Sequence, residues 1–99
     1  MSAEPAKPDE ITVRHNLAES RFEVVVDGFL SVADYELAVG TMVMTHTFVP
    51  PELRGRGIAE KLVRAALDWA RAEGLRVVPA CSYVATFIQR HSEYQPLVR

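Results

Sequence analysis

Along this chain apolar residues first recur at every second position, then at every third or fourth, and the change of period falls just after residue 50. In ITVRH (11–15), Ile11 and Val13 have strand spacing, and the polar stretch NLAES that follows suits a turn. RFEVVV (21–26) alternates Phe22, Val24 and Val26 against Arg21, Glu23 and Val25. It runs into Asp27-Gly28, a pair that tolerates the positive φ values of a tight hairpin turn. FLSVADYEL (29–37) predicts the returning strand, Gly40 a further turn, and TMVMTHTFV (41–49) a fourth strand. Pro50-Pro51 stops it, because proline cannot donate to a strand ladder. These segments predict an antiparallel meander.

Beyond the prolines the pattern becomes helical. Ile58, Leu62, Val63, Ala66, Trp69 and Ala70 share one side of a helix, with Glu60, Arg64, Asp68 and Arg71 on the other. Glu60–Arg64 and Arg64–Asp68 are opposite charges four apart, as on a solvated face. Gly74 is placed to end the helix as its C′ residue. LRVVPAC (75–81) predicts a short buried strand, and Val84, Phe87 and Ile88 a last helix with Ser82 as its N-cap. Strand, helix, strand forms a βαβ unit, expected to be right-handed. The fold class is therefore mixed α/β: a meander followed by a β-α-β-α unit.

With 99 residues the chain has room for one core, expected over residues 10–99 behind a loose polar tail at 1–9. A 48% hydrophobic content fills one pair of packed layers, and 24% charged residues do not favour disorder. The formal charge of -2 argues against a nucleic-acid binder. No apolar run is long enough to span a bilayer, and the start resembles no signal peptide or presequence, so a cytoplasmic location is expected. The single cysteine, Cys81, rules out an internal disulfide and metal sites built from cysteine pairs, and no metal site is expected. Charge is unevenly spread: residues 1–40 hold three bases and eight acids, residues 41–99 eight bases and five acids. An anionic ligand should prefer the second half.

That half contains VPPELRGRGIAEKLV (49–63), in which Arg54-Gly55-Arg56-Gly57 opens the long helix. A helix start leaves its first amides unpaired and partly positive. Two glycines allow close backbone approach, successive amides can form a nest for phosphate, and the arginines add charged donors. A plain connecting turn would use the same residues. A nucleotide P-loop is excluded, since no Lys-Ser/Thr pair follows.

A β-rich strand ended by proline, then R-x-x-G-x-A (Arg54, Gly57, Ala59) opening a helix, resembles the acyl-CoA pyrophosphate loop of GCN5-related N-acetyltransferases. VDGFLSVADYEL, the run from Thr45 to Val84, and IQRHSEY extend the resemblance over roughly residues 11–98, to the small single-domain members of that family. The resemblance implies a sheet whose two central parallel strands splay apart to admit acetyl-CoA. The pantetheine arm would follow the strand at Thr47, Phe48 and Val49, and the diphosphate would rest on Arg54, Gly55, Arg56, Gly57, Ile58 and Ala59. It also implies transfer of an acetyl group to a primary amine. Two positions depart from the family pattern. Gln89 stands where larger members carry a tyrosine acid, and Ser82 where close relatives have proline.

Amine acetylation needs a polarised thioester carbonyl and a route for protons, and two side chains are candidates for it. Cys81 closes the last strand just before a helix start, which favours thiolate. It could carry the acetyl group or protonate the departing coenzyme thiolate; as a plain small hydrophobe it would do neither. His46, as an imidazole, could serve as a general base, or it could be a core histidine held by a backbone carbonyl. Alternation puts it on one face with Met42, Met44 and Phe48, opposite Thr45 and Thr47. His15 reads as a surface strand residue, and Tyr83 as core or as acyl-pocket lining. A non-catalytic acyl-CoA-binding or adaptor module is the alternative to an enzyme, because nothing before Ile11 supplies the helices that wall off the acceptor in larger relatives. A ligand-free β-rich interaction domain leaves the glycine-arginine turn without a purpose. The acceptor amine and the oligomeric state are left open.

Overall fold

The computed structural model describes residues 11–98; the tail expected at 1–9 lies outside them. Five strands form one sheet in sequence order: β1 (Arg14–Asn16), β2 (Arg21–Val26), β3 (Phe29–Ala38), β4 (Thr41–Phe48) and β5 (Arg76–Pro79). The first four pair antiparallel and β5 pairs parallel to β4. Between β4 and β5 run a 3-10 turn (Pro51–Leu53) and the long helix α1 (Ile58–Ala72). Helix α2 (Ser82–Arg90) and a 3-10 segment (Ser92–Val98) complete the chain, and the last of these has no counterpart in the sequence reading.

Local chemistry explains most boundaries. Asp27 and Gly28 both take positive φ, 53° and 79°, the signature of the two-residue turn whose twist matches the flanking strands. Gly74, at φ 69°, ends α1: its amide returns to the Arg71 carbonyl and the Leu75 amide to that of Ala70. This is the paired-bond C-terminal motif that needs a left-handed residue. β1 starts later than the strand expected at 11–15, and Cys81 rather than Ser82 is the N-cap of α2. Ser82 is already helical, and no side chain caps that helix.

The core lies between one face of the sheet and the two helices. Phe22, Val24, Ala33, Tyr35, Met42, Met44 and Val77 meet Ile58, Leu62, Val63, Ala66, Leu67 and Ala70 of α1, with Val84, Phe87 and Ile88 of α2 beside them. Burying each of the larger side chains contributes about 1.5–3 kcal/mol. The opposite face of the sheet carries exposed Val25, Leu30, Phe48 and Val78.

Long-range contacts reassign several residues. His15 is half-buried, stacked on Phe22 with ring centroids 3.9 Å apart, edge-on to Trp69, and 2.7 Å from the Tyr35 hydroxyl. It is not the surface residue its strand position suggests. Arg64 pairs with Glu60, as its spacing predicts, but its second partner is Glu93 rather than Asp68. Asp68 instead accepts the Tyr94 hydroxyl at 2.7 Å.

Candidate functional site

The parallel pairing of β4 with β5 covers only Thr41–Met44 against Arg76–Pro79. One further bond, from the Cys81 amide to the Met44 carbonyl at 2.9 Å, closes the junction. From there β4 continues to Phe48 beside β3, while the chain at Cys81 turns away into α2. The two central strands therefore part at Met44 and Cys81, which is the splay the sequence led us to expect.

A β-bulge decides what faces this opening. Tyr35 pairs with Met44 and Asp34 with His46, so Thr45 has no ladder partner in β3, and its hydroxyl donates to the Asp34 carbonyl instead. One extra residue reverses the alternation of everything after it. Thr47 stands opposite fully buried Ala33, on the face of Met42 and Met44. His46 stands opposite Asp34 on the other face, exposed, with its ring parallel to that of Phe48 at 6.4 Å. The pairing of His46 with Phe48 agrees with alternation; its placement with Met42 and Met44 is overturned. The structure thus brings Thr47, not His46, to Cys81, with 3.6 Å between Sγ and Oγ1.

Cys81 is half-buried, and burial alone would oppose its ionisation. The Val84 amide, the Thr47 hydroxyl, and the Tyr83 and Thr47 amides outweigh that cost, so the thiol lies below its ordinary range. The physical cause is the helix start: the first amides of α2 are unpaired donors at the positive end of its dipole.

The glycine-arginine turn is built by the prolines before it. Pro50 and Pro51 carbonyls accept the Leu53 and Arg54 amides, Leu53 is buried, and the Arg54 Nε donates to the Val49 carbonyl at 3.1 Å. Gly55 and Gly57 then take φ values of 86° and 75° on either side of Arg56, and Gly57 is the N-cap of α1. The first helical bond is donated by Lys61, to the Gly57 carbonyl. Among the described residues the six amides of Gly55 through Glu60 find no protein acceptor. A Cβ added at either glycine would meet no protein atom within 4 Å. Consecutive free amides with alternating backbone conformation form a nest for an anion.

A concavity of about 260 Å³ lies over this nest, lined by Val49, Leu53, Arg54 and residues of the turn, with Glu60 and Tyr83. Tyr83, two residues after Cys81, joins the anion nest to the thiol. Of the two readings the sequence allowed for Tyr83, core or pocket lining, the core one is overturned: the side chain is exposed and lines this concavity, because α2 and the turn meet in the folded chain. Arg56 is exposed, 3.8 Å from Asp27 at the tip of the β2–β3 hairpin. Gln89 lies on the far side of α2, where it lines a separate cavity with Pro79, Ala85, Ile88, Gln95 and Val98.

A mixed sheet that parts between two parallel strands, with a free-amide helix start beside the gap, defines a fold of the N-acetyltransferase type. Residues 21–97 match the family model of the GCN5-related N-acetyl-transferases, and the chain belongs to that family. It is 36% identical to Protein NATD1 of Bos taurus, over 99% of this chain and 92% of the relative. It is 35% identical to Protein NATD1 of Homo sapiens, over 90% and 81% respectively. Among solved structures, a GCN5-like protein from Staphylococcus aureus determined by NMR superposes with a TM-score of 0.69 and 25% identity. That match covers 93% of this chain and 89% of the other.

Proposed function

We propose that the protein binds acetyl-CoA and transfers its acetyl group to a primary amine. The observation that carries this reading is the run of six unpaired amides at Gly55–Glu60, in a fold that also sets a thiol at the point where two parallel strands separate. The residues present fit a diphosphate: the amides supply convergent donors, Arg54 and Arg56 add charge, and the absent Cβ atoms leave room for approach. Thr47 and Phe48 at the end of β4, with Val49 just beyond it, supply extended backbone for a pantetheine amide, and Ile58 and Ala59 complete the helix start. When bound, the coenzyme supplies an activated acetyl thioester.

The chain's own groups support two routes. In the first, the amine attacks the acetyl carbon directly, the Cys81 thiol gives its proton to the departing coenzyme sulfur, and the amine's surplus proton passes to the Cys81 thiolate so formed. In the second, ionised Cys81 Sγ bonds to the acetyl carbon as the coenzyme's C–S bond breaks and its thiolate departs. The amine then attacks that carbon, Sγ leaves as thiolate, and the amine's surplus proton passes to a base. His46 is the candidate base of this proposal, and its exposure leaves it open to solvent and to an arriving acceptor.

Calorimetric titration with coenzyme A tests the cofactor reading. The protein should bind, and Gly57→Glu, which sets bulk and negative charge against the diphosphate, should not. Equal binding by both would end the proposal.

The second reading is a non-catalytic acyl-CoA-binding or adaptor module. It is favoured by Gln89, a side chain that cannot act as an acid, and by the separation of His46 and Cys81 onto opposite faces of β4. Coenzyme binding without acetyl transfer to any of a broad panel of amines would select it.

A further inference from the structure

We propose that Thr47 is the positioning residue for the Cys81 sulfur, accepting its hydrogen bond as a thiol and donating to it as a thiolate. Its catalytic use rests on the acyl-cysteine route above, to which it adds a residue chosen by the fold rather than by the coenzyme loop.

Three features of the structure support this assignment. The first is contact: Thr47 Oγ1 and Cys81 Sγ are 3.6 Å apart although 34 positions separate them in sequence. The second is how the contact is made. Without the extra residue at Thr45, alternation from Met44 would turn Thr47 toward the opposite face. The Cys81 amide on the Met44 carbonyl fixes the other partner, at the last point where β4 and β5 are joined. The third is chemical. A hydroxyl can both donate and accept, so it can remain bonded to sulfur in either protonation state by rotating its own hydrogen. Threonine is also stiff at χ1, which keeps Oγ1 in place at small entropic cost.

The electrostatic surroundings isolate the effect. Burial, the Val84, Tyr83 and Thr47 amides and the Thr47 hydroxyl are the largest influences on the sulfur. His46 is turned to the other face of β4. Removing the hydroxyl takes away the one side-chain donor among these influences and leaves the amides. In the acyl-cysteine route Sγ serves twice as thiolate, once as nucleophile and once as leaving group, and both events gain from a donor in place beforehand.

Cys81 is the sole cysteine, so alkylation of the whole chain reports on it alone. The rate of reaction with iodoacetamide, followed by intact mass from pH 5 to 10 without coenzyme, gives the ionisation midpoint. Thr47→Val should move that midpoint upward and slow alkylation at pH 7 by about fivefold or more. Thr47→Ser should restore most of the rate. If Thr47→Val misfolds by circular dichroism, Thr47→Ala gives the same readout with less bulk. An unchanged midpoint in the folded variant overturns the proposal. Incubation with acetyl-CoA then separates it from the reading beneath it. A shifted midpoint with no acetyl adduct on the native chain rejects the acyl-cysteine route and keeps the Thr47–Cys81 pair. An adduct with an unshifted midpoint does the reverse.

Discussion

Arg56, in the middle of the glycine-rich turn, lies 3.8 Å from the carboxylate of Asp27 at the tip of the β2–β3 hairpin. The two residues sit on loops that local sequence does not connect, and the hairpin leans its acid toward the charge best placed for an anion. Both side chains are substantially exposed, so the pair contributes little to folding. Its consequence is for binding, because a diphosphate would compete with Asp27 for the guanidinium. Asp27→Asn should tighten coenzyme A binding by about two- to fivefold at low ionic strength, with the gain fading as salt rises. Calorimetry at two salt concentrations measures this. Weaker binding by the variant would contradict it.

Gly57 separates the backbone's contribution from the ligand's. Its φ of 75° makes alanine strained by about 1–2 kcal/mol, yet the added Cβ meets no protein atom within 4 Å. Gly57→Ala should therefore fold, with a Tm lowered by about 4–8 °C per kcal/mol of strain. Coenzyme affinity, titrated well below that Tm, should fall more steeply than this strain accounts for, because the methyl group occupies the side from which a diphosphate would approach. Unchanged affinity would mean that the amides of this turn do not hold the ligand.

His15 gives the fold a pH dependence of predictable sign. Burial among Phe22, Tyr35 and Trp69 lowers its pKa from the ordinary 6.5. The unfolded chain then binds the proton more readily, so this contribution is complete above pH 6.5 and is lost as pH falls through the lower folded value. Glu23 acts in a separate window. Its hydrogen bond to Arg21 holds its pKa below the usual 4.5, so its share is lost only at more acid pH. Urea melts at pH 7.5 and 5.5 should show the native protein losing stability relative to His15→Phe. Parallel loss in both proteins would place the titration elsewhere.

Tyr94 fastens the C-terminal segment to α1. Its hydroxyl donates to Asp68 at 2.7 Å, and the Arg64 and Arg71 guanidinium groups lie 5.9 and 4.9 Å from its ring centre. Tyr94→Phe keeps the ring and removes one hydrogen bond, so it should cost about 1 kcal/mol. Tyr94→Ala also empties a buried site and should cost about 3–5 kcal/mol. Thermal melts of the two variants would rank them, and equal losses would show that the hydroxyl alone fastens the segment.

Much of this architecture is written in short stretches of sequence, because the forces that set it act within a few residues. Asp27-Gly28 carries the turn between β2 and β3, the apolar period carries α1, and Gly74 carries its end, each through backbone preferences that need no distant partner. The glycine-arginine entry to α1 was visible for the same reason. What the sequence could not decide was which side chains meet around the opening. The bulge at Thr45 exists only in the pairing of β4 with β3, and that one displaced residue sends His46 outward and Thr47 to Cys81. The placing of His15 against Trp69, of Tyr83 beside the glycine turn, and of Arg64 on Glu93 likewise followed from packing across the sheet and helices. Period and turn chemistry are local quantities, whereas register and side-chain encounters depend on how the whole chain closes on itself.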